Sequence, residues 1–451
     1  MAGYLPDFVP VNSIGALATL VVFGACSTVS VEPSSAAINE PETENQMVSE
    51  SLPSFTQDGI SNLEGKMASY VEEGKLYGIA TRLVKDGETI SDFRAGVRRL
   101  ESGEPIEDDT IFRIYSMSKP VTGVALLQLW EDGKFQLDDP VSKYVPEFDN
   151  LKVLSMDPES GEYQVVDAQR SPTIKELMNH TAGFAYGLGG DDPANSAFRD
   201  KRLLASPDLQ TFIDGVAAVP LLFQPGDEWA YSASVDIQGY LVEKISGQRF
   251  GDYLEEHIFA PLNMVDTGFY VPEADYERFS EVYGYHPETG ALVPIPYPQV
   301  QFRESTLNME SGGGGLVSTM NDYSNFAQML LNEGSFGDAE ILKPETVQLM
   351  STNTLPDHLS LLSDGTADSD RLRGIGHGLN VGVMVDPELA ERKLGKGSFF
   401  WGGAAGTWFW VDPENDLFFI GMIQVFDRDN KLGALEINST SSNLVYSAMA
   451  K

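Results

Sequence analysis

The chain has 451 residues, 42% of them hydrophobic, enough apolar material to bury a large core and to divide into two lobes. Its 67 acidic residues against 30 basic ones leave a formal net charge of −37, which excludes a nucleic-acid binder, because contact with phosphates needs a basic face. Cys26 is the single cysteine, so there is no internal disulfide, and neither a cysteine-rich metal site nor a cysteine nucleophile exists in the body of the chain.

Residues 1–50 read as a signal-like segment and a disordered tether outside the fold. Ile14 to Ala25 is an apolar run of signal-peptide length, too short for a membrane span, and it ends in small residues directly before Cys26. The run resembles a bacterial lipoprotein signal, which implies export and a membrane tether through lipidation of Cys26. It departs from that pattern in having no Lys or Arg before the run and in placing Phe23 where an aliphatic residue is preferred. The alternative is a start at Met47 and a cytoplasmic enzyme. Ser27 to Glu50, rich in Ser, Glu, Pro and Asn, reads as the tether in either case.

The fold begins near residue 54. Gln57 to Glu73 has helical periodicity, and Gly78 to Val84, a Lys85-Asp86-Gly87 turn and Glu88 to Ala95 predict a β-hairpin. Next comes Phe112-Arg113-Ile114-Tyr115-Ser116-Met117-Ser118-Lys119-Pro120, followed by an apolar run to Trp130 and a stop at Glu131-Asp132-Gly133. A helix apolar on every face is a core helix, and Gly133 suits its C-terminal end. Pro120 is tolerated only in a first turn, which puts the helix start near Tyr115 or Ser116 and leaves Ser116 and Lys119 on one face. A serine hydroxyl needs a base within reach to act as a nucleophile, and a lysine serves where burial disfavours its charged form. The helix start adds free N–H donors, that of Ser116 among them, for an oxyanion. The competing reading, an N-cap serine and a surface lysine, sits poorly with a helix this apolar.

The middle of the chain predicts helices at Ile174 to Met178, Asp208 to Ala218 and Val235 to Ile245, with no internal repeat. Phe184 to Asn195 has no regular pattern; its place after Asn179-His180-Thr181-Ala182-Gly183 predicts a cleft rim with no role in the chemistry. In Phe223-Gln224-Pro225-Gly226-Asp227-Glu228-Trp229-Ala230-Tyr231-Ser232-Ala233-Ser234, Pro225-Gly226 makes a turn and Ser232 or Ser234 is expected to cap the following helix. Tyr231 then stands on a rigid loop from which a phenol can enter a cleft, the alternative being a tyrosine buried for packing. Further on, Phe399 to Trp401 and Thr407 to Val411 read as two strands around Gly402-Gly403-Ala404-Ala405-Gly406, with glycines where backbone approaches something closely. Leu417 to Val425 is another strand, and a helix closes the chain near Ala450. The expected architecture is α/β plus α: residues 51–110 and 310–451 form an antiparallel sheet flanked by helices, residues 111–309 a helix-rich second lobe, and the active site lies in the cleft between them.

Taken in order and spacing, Ser116-Met117-Ser118-Lys119, Tyr231-Ser232 and Trp401-Gly402-Gly403 resemble the three active-site elements of the serine hydrolases related to class C β-lactamases and D-alanyl-D-alanine peptidases. Leu137-Asp138-Asp139-Pro140, His180-Thr181-Ala182-Gly183, Pro225-Gly226, Pro261-Leu262-Asn263-Met264, Asp266-Thr267-Gly268-Phe269 and Gly312 to Thr319 match as well, so the resemblance covers about residues 54–451. It implies a β-lactamase-like fold and a covalent acyl-enzyme, with Ser116 as nucleophile, Lys119 as its base and Tyr231 as proton shuttle. Backbone N–H groups of Ser116 and Ala404 would form the oxyanion hole, and no metal or other cofactor is implied. Two departures point away from charged amide substrates: Ala233 stands where these enzymes carry an asparagine, and Trp401-Gly402-Gly403 where they carry Lys-Thr-Gly. Both look like what family VIII carboxylesterases show. A neutral short to medium chain ester is therefore the expected partner, with Trp401, and Trp408 or Phe409 beside it, walling the subsite of Gly402 and Gly403. The alternatives are a β-lactamase or D-alanyl-D-alanine peptidase and, outside enzymes, a penicillin-binding-like scaffold or sensor. There is no Gly-x-Ser-x-Gly elbow, and the five histidines show no metal spacing; His180 reads as a hydrogen-bonded anchor.

Overall fold

The computed structural model describes residues 54–188, 190–296, 302–356, 358–359, 374–427 and 434–450. The signal-like run, Cys26 and the tether lie outside these residues, and no described helix is long and apolar enough to cross a membrane.

Thr56 caps the first helix, α1 (Gln57–Glu72), its side chain accepting from the Gly59 N–H. The hairpin forms as expected: β1 (Gly78–Lys85) and β2 (Glu88–Gly96) join through Asp86 and Gly87, at φ 52° and 75°, a two-residue turn whose twist suits the strands. β3 (Phe112–Arg113) leads into a single 3₁₀ turn, Tyr115–Met117, and then into α2 (Ser118–Glu131). The α-helix proper thus starts later than the sequence pattern predicts, and Pro120 falls in its first turn, where its missing N–H costs nothing. Gly133 follows its end at φ 71°.

The middle of the chain is less helical than expected. β4 (Lys152–Met156) and β5 (Tyr163–Asp167) pair as an antiparallel hairpin. Then come α3 (Ile174–Met178), α4 (Pro193–Asp200), α5 (Leu209–Ala217), α6 (Ser234–Ser246) and α7 (Phe250–Leu254). β6 (Tyr283–Tyr285) and β7 (Leu292–Pro294) form a second small hairpin, and β8 (Val317–Ser318) pairs with β3. Beyond α8 (Met320–Leu331), the short pair β9 (Ser335–Phe336) and β10 (Ala339–Glu340), and α9 (Pro344–Met350), the chain is mostly strand. These strands are β11 (Ile375–His377), β12 (Gly382–Met384), β13 (Phe399–Gly402), β14 (Trp408–Asp412), β15 (Leu417–Met422) and β16 (Val425–Phe426), before α10 (Ala434–Ala448). The predicted strand over Leu417 to Val425 is therefore two, the second pairing with β6 instead.

Seven strands form one antiparallel sheet in the order β11-β12-β13-β14-β15-β1-β2, so the late strands close on the early hairpin through β15 and β1. Both faces of this sheet are covered, which is why β14 and β15 read as unbroken apolar runs although their side chains alternate. On β14, Trp408 donates to Ser441 Oγ and Trp410 stacks on Tyr446, both of α10, whereas Phe409 turns the other way onto Tyr323 of α8. Each such buried ring contributes about 2–3 kcal/mol of hydrophobic stabilisation. α2 runs through the opposite layer with every residue from Ser118 to Leu127 buried.

Candidate active site

Ser116 sits in the 3₁₀ turn ahead of α2, after Tyr115, whose φ of 43° is a left-handed conformation that a bulky residue adopts only when its surroundings impose it. The turn is held from both sides: the Ile114 N–H donates to Leu316 O, and Tyr323 donates to Met117 O at 3.0 Å. One helical step on, Lys119 is fully buried, and its Nζ lies 3.3 Å from Ser116 Oγ and 2.6 Å from the Gly313 carbonyl to which it donates. Tyr231 donates to Ser116 Oγ at 2.6 Å, and the Lys119 nitrogen stands 4.6 Å from the centre of the Tyr231 ring. Tyr231, 115 residues along the chain from Ser116, thus meets the local Ser116–Lys119 pair at one oxygen.

Tyr231 owes its position to His180. That residue is at φ 62°; its carbonyl accepts from the Ala230 N–H at 3.0 Å and its Nδ1 from the Ser232 N–H at 3.3 Å, one bond on each side of Tyr231. Gly226 adds a third link, donating to Thr181 O at 2.8 Å. Neither Ser232 nor Ser234 caps α6. The N-cap position is Ala233, without a side-chain bond, and the Ser232 hydroxyl turns inward to His180 Nδ1 and Ser234 Oγ. The His180 interaction claims the hydroxyl that the local pattern assigned to capping.

The glycine-rich turn docks on the chain just ahead of Ser116. Gly403 donates to Thr407 O at 2.7 Å, Thr407 Oγ1 donates to Ile114 O at 3.3 Å, and a Cβ on Gly403 would stand 2.4 Å from that same carbonyl. Ala404 is exposed in this turn, and Gly402 is exposed at the end of β13. The Trp401 ring is half-buried, 6.0 Å from Tyr231 and 5.4 Å from His377. Trp408 and Phe409 do not wall the cleft as expected; both are buried within the sheet's two layers, because Gly402 pairs with Trp408 and the strand is covered on each face.

Two residues near the centre escaped the sequence reading. Tyr186, in the stretch to which no chemistry was assigned, is buried with its hydroxyl 3.4 Å from Lys119 Nζ and its ring edge-on to Tyr231. Asp236, in the first turn of α6, accepts from Ser311 Oγ and from the Gly313 N–H at 3.1 Å. Burial raises the Asp236 pKa, with the charge of Lys119 pulling against it, and burial next to Asp236 pushes the Tyr186 phenol well up. A Cβ on Gly313 would meet Asp236 Oδ2 at 2.5 Å and the Tyr186 hydroxyl at 2.7 Å, so this glycine is required. An acid between Val235 and Ile237 on a buried helix was the available signal for Asp236. Tyr186 had none beyond its nearness to His180.

Comparison with known proteins identifies the family and the fold. The Beta-lactamase family model matches residues 63–440. Protein Rv1367c of Mycobacterium tuberculosis is 34% identical over 370 residues, 80% of this chain and 90% of that one. Esterase EstB of Burkholderia gladioli is 28% identical over 377 residues, 79% of this chain and 89% of its own. Among solved structures, EstCE1, a hydrolase with promiscuous acyltransferase activity, superposes with a TM-score of 0.70 at 24% identity, over 86% of this chain and 99% of its own. The fold is β-lactamase-like, and the chain belongs to the Beta-lactamase family.

Proposed function

We propose that the protein is a serine hydrolase, a carboxylesterase that takes the acyl group of neutral short to medium chain esters onto Ser116. The observation that carries this reading is the convergence of Tyr231 and Lys119 on Ser116 Oγ, at 2.6 and 3.3 Å. Ser116 Oγ attacks the ester carbonyl carbon and passes its proton to Lys119. The N–H groups of Ser116 and Ala404 receive the carbonyl oxygen as it becomes an oxyanion. The C–O bond then breaks, Tyr231 protonates the departing alkoxide and is reprotonated from Lys119, and the acyl group stays on Ser116. Water attacks that acyl group by the reverse path, its proton leaving through Tyr231. An alcohol in place of water gives acyl transfer, the second activity of EstCE1, a hydrolase with promiscuous acyltransferase activity.

A neutral ester is favoured over a β-lactam by Ala233. It is fully buried and apolar, so no amide-binding side chain stands two residues after Tyr231. Trp401 offers an aromatic wall where a cation would otherwise meet a substrate carboxylate. The names of the esterase relatives support the same choice.

The test is hydrolysis of short and medium chain p-nitrophenyl esters beside a chromogenic cephalosporin. The wild type should turn over the esters many times per site and prefer them to the cephalosporin, and Ser116→Ala should lose the activity to background. Better turnover of the cephalosporin would make the protein a β-lactamase; a single stoichiometric burst without turnover would make it a scaffold or sensor.

A further inference from the structure

Three buried polar atoms beside Tyr231 have no hydrogen-bond partner among the described residues: Nε2 of His180, Nε2 of His377 and Nε1 of Trp229. Their rings form a triangle, with centroids 5.3 Å apart for His180 and His377, 5.9 Å for His180 and Trp229, and 5.8 Å for Trp229 and His377. Leaving such atoms bare costs about 1–3 kcal/mol each, so the triangle calls for a polar guest.

The bonds made elsewhere on each ring define that guest. His180 Nδ1 accepts from the Ser232 N–H, so its proton is on Nε2, which donates. His377 Nδ1 lies 2.9 Å from the Gly378 carbonyl, which can only accept, so the proton is on Nδ1 and Nε2 is a lone pair. Trp229 Nε1 can only donate. Both imidazoles are neutral at neutral pH: burial pushes His377 down to about 4 and His180 well below its ordinary value, in the latter case with help from His377 and Lys119. A group that accepts two hydrogen bonds and donates one fits the set, and a water molecule does so in the usual manner of buried water.

We infer that His180, Trp229 and His377 hold one buried water, and that through it His377 is a positioning residue for Tyr231. The link spans two parts of the fold. His377 is on β11, its own backbone fixed by Asn353 Oδ1 at 3.0 Å and by the Thr354 N–H at 2.8 Å. His180 and Trp229 belong to the segments that carry Tyr231. Trp401 packs on both His377 and Tyr231, so the water completes a closed ring of contacts around the phenol. The choice of Tyr231 as the group being positioned rests on the proposed function; the water does not.

A crystal structure of the wild-type protein, at a resolution that shows ordered solvent, tests the water directly. Density within about 3.2 Å of all three atoms is expected. A dry triangle, or a direct bond between the two histidines, overturns the inference whatever the protein hydrolyses. His377→Phe keeps the ring and removes the acceptor, and His377→Gln returns an oxygen near the Nε2 position. In the phenylalanine variant the water should be lost, Tyr231 should leave hydrogen-bond distance of Ser116 Oγ, and ester kcat should fall roughly 10- to 100-fold with KM little changed. The glutamine variant should recover most of it. Trp229→Phe breaks the same link from the other side, and the double variant should be no worse than the poorer single one. If His377→Phe does not fold, Trp229→Phe carries the test. An unmoved Tyr231, unchanged kcat or additive losses would each refute the positioning role.

Discussion

Lys119 Nζ has three oxygen neighbours, Ser116 Oγ, Tyr186 OH and the Gly313 carbonyl, and only the first belongs to the motif that drew attention to it. A buried amine holds one geometry only if its other directions are occupied, because unpaired buried donors are costly. Tyr186→Phe keeps the ring against Tyr231 and removes one of those partners. It should lower ester kcat roughly 5- to 30-fold, about 1–2 kcal/mol, with KM within about twofold, as steady-state kinetics would show. A loss confined to KM would mean that the hydroxyl meets substrate instead. The contrast between Tyr186 and Lys119 also shows what was legible. Ser116 and Lys119 are one helical step apart, so local geometry alone brings them together. Tyr231 was legible as a loop tyrosine at a helix entrance. Tyr186, Asp236 and His377 reach the site only through the tertiary arrangement, which no spacing along the chain encodes.

Among the elements, those with a strong period or a turn signal matched expectation: the first hairpin, the body of the serine helix though not its start, and the strands on either side of the glycine-rich turn. The hairpin of β4 and β5 did not, because all five residues of β5 are exposed and the strand therefore has no apolar alternation. Its local signals lay in the turn: the Asp157 side chain accepts from the Glu159 and Ser160 N–H groups, and Gly161 takes a φ of 71°. The glycine-rich turn was readable as a close approach, though not what it approaches. Gly403 abuts the Ile114 carbonyl and Thr407 Oγ1, where a Cβ would stand at 2.4 and 2.3 Å, whereas a Cβ on Gly402 would meet only Thr407 O at 3.2 Å and Trp408 at 3.9 Å. Gly403→Ala should therefore cost about 1–3 kcal/mol and lower Tm by several degrees. Gly402→Ala should move Tm by much less. Thermal unfolding followed by circular dichroism would compare the two, and equal shifts would mean that the turn moves freely away from Ile114.

For the molecule as a whole, the net charge of −37 acts on every ligand that approaches the cleft. A field of one sign repels ions of that sign and leaves neutral molecules unaffected, and salt removes the difference: the Debye length falls from about 30 Å at 0.01 M to about 3 Å at 1 M. Within the site the amine of the motif, Lys119, is buried and already engaged with Gly313, so it offers an approaching carboxylate little compensation. The global field and the local lining thus act in the same sense, against anionic substrates. Two p-nitrophenyl esters of similar length, one of a neutral acid and one bearing a second, ionised carboxylate, separate the effects. At low salt kcat/KM should be higher for the neutral ester. Raising NaCl from about 0.02 to 0.5 M should leave it nearly constant while raising the anionic ester's value severalfold. Any preference for the neutral ester that survives at high salt belongs to the lining around Trp401, which Trp401→Lys should reduce by restoring a cation there. If the anionic ester is the better substrate at every salt concentration, the net charge does not select the substrate, and a local cation in the cleft outweighs it.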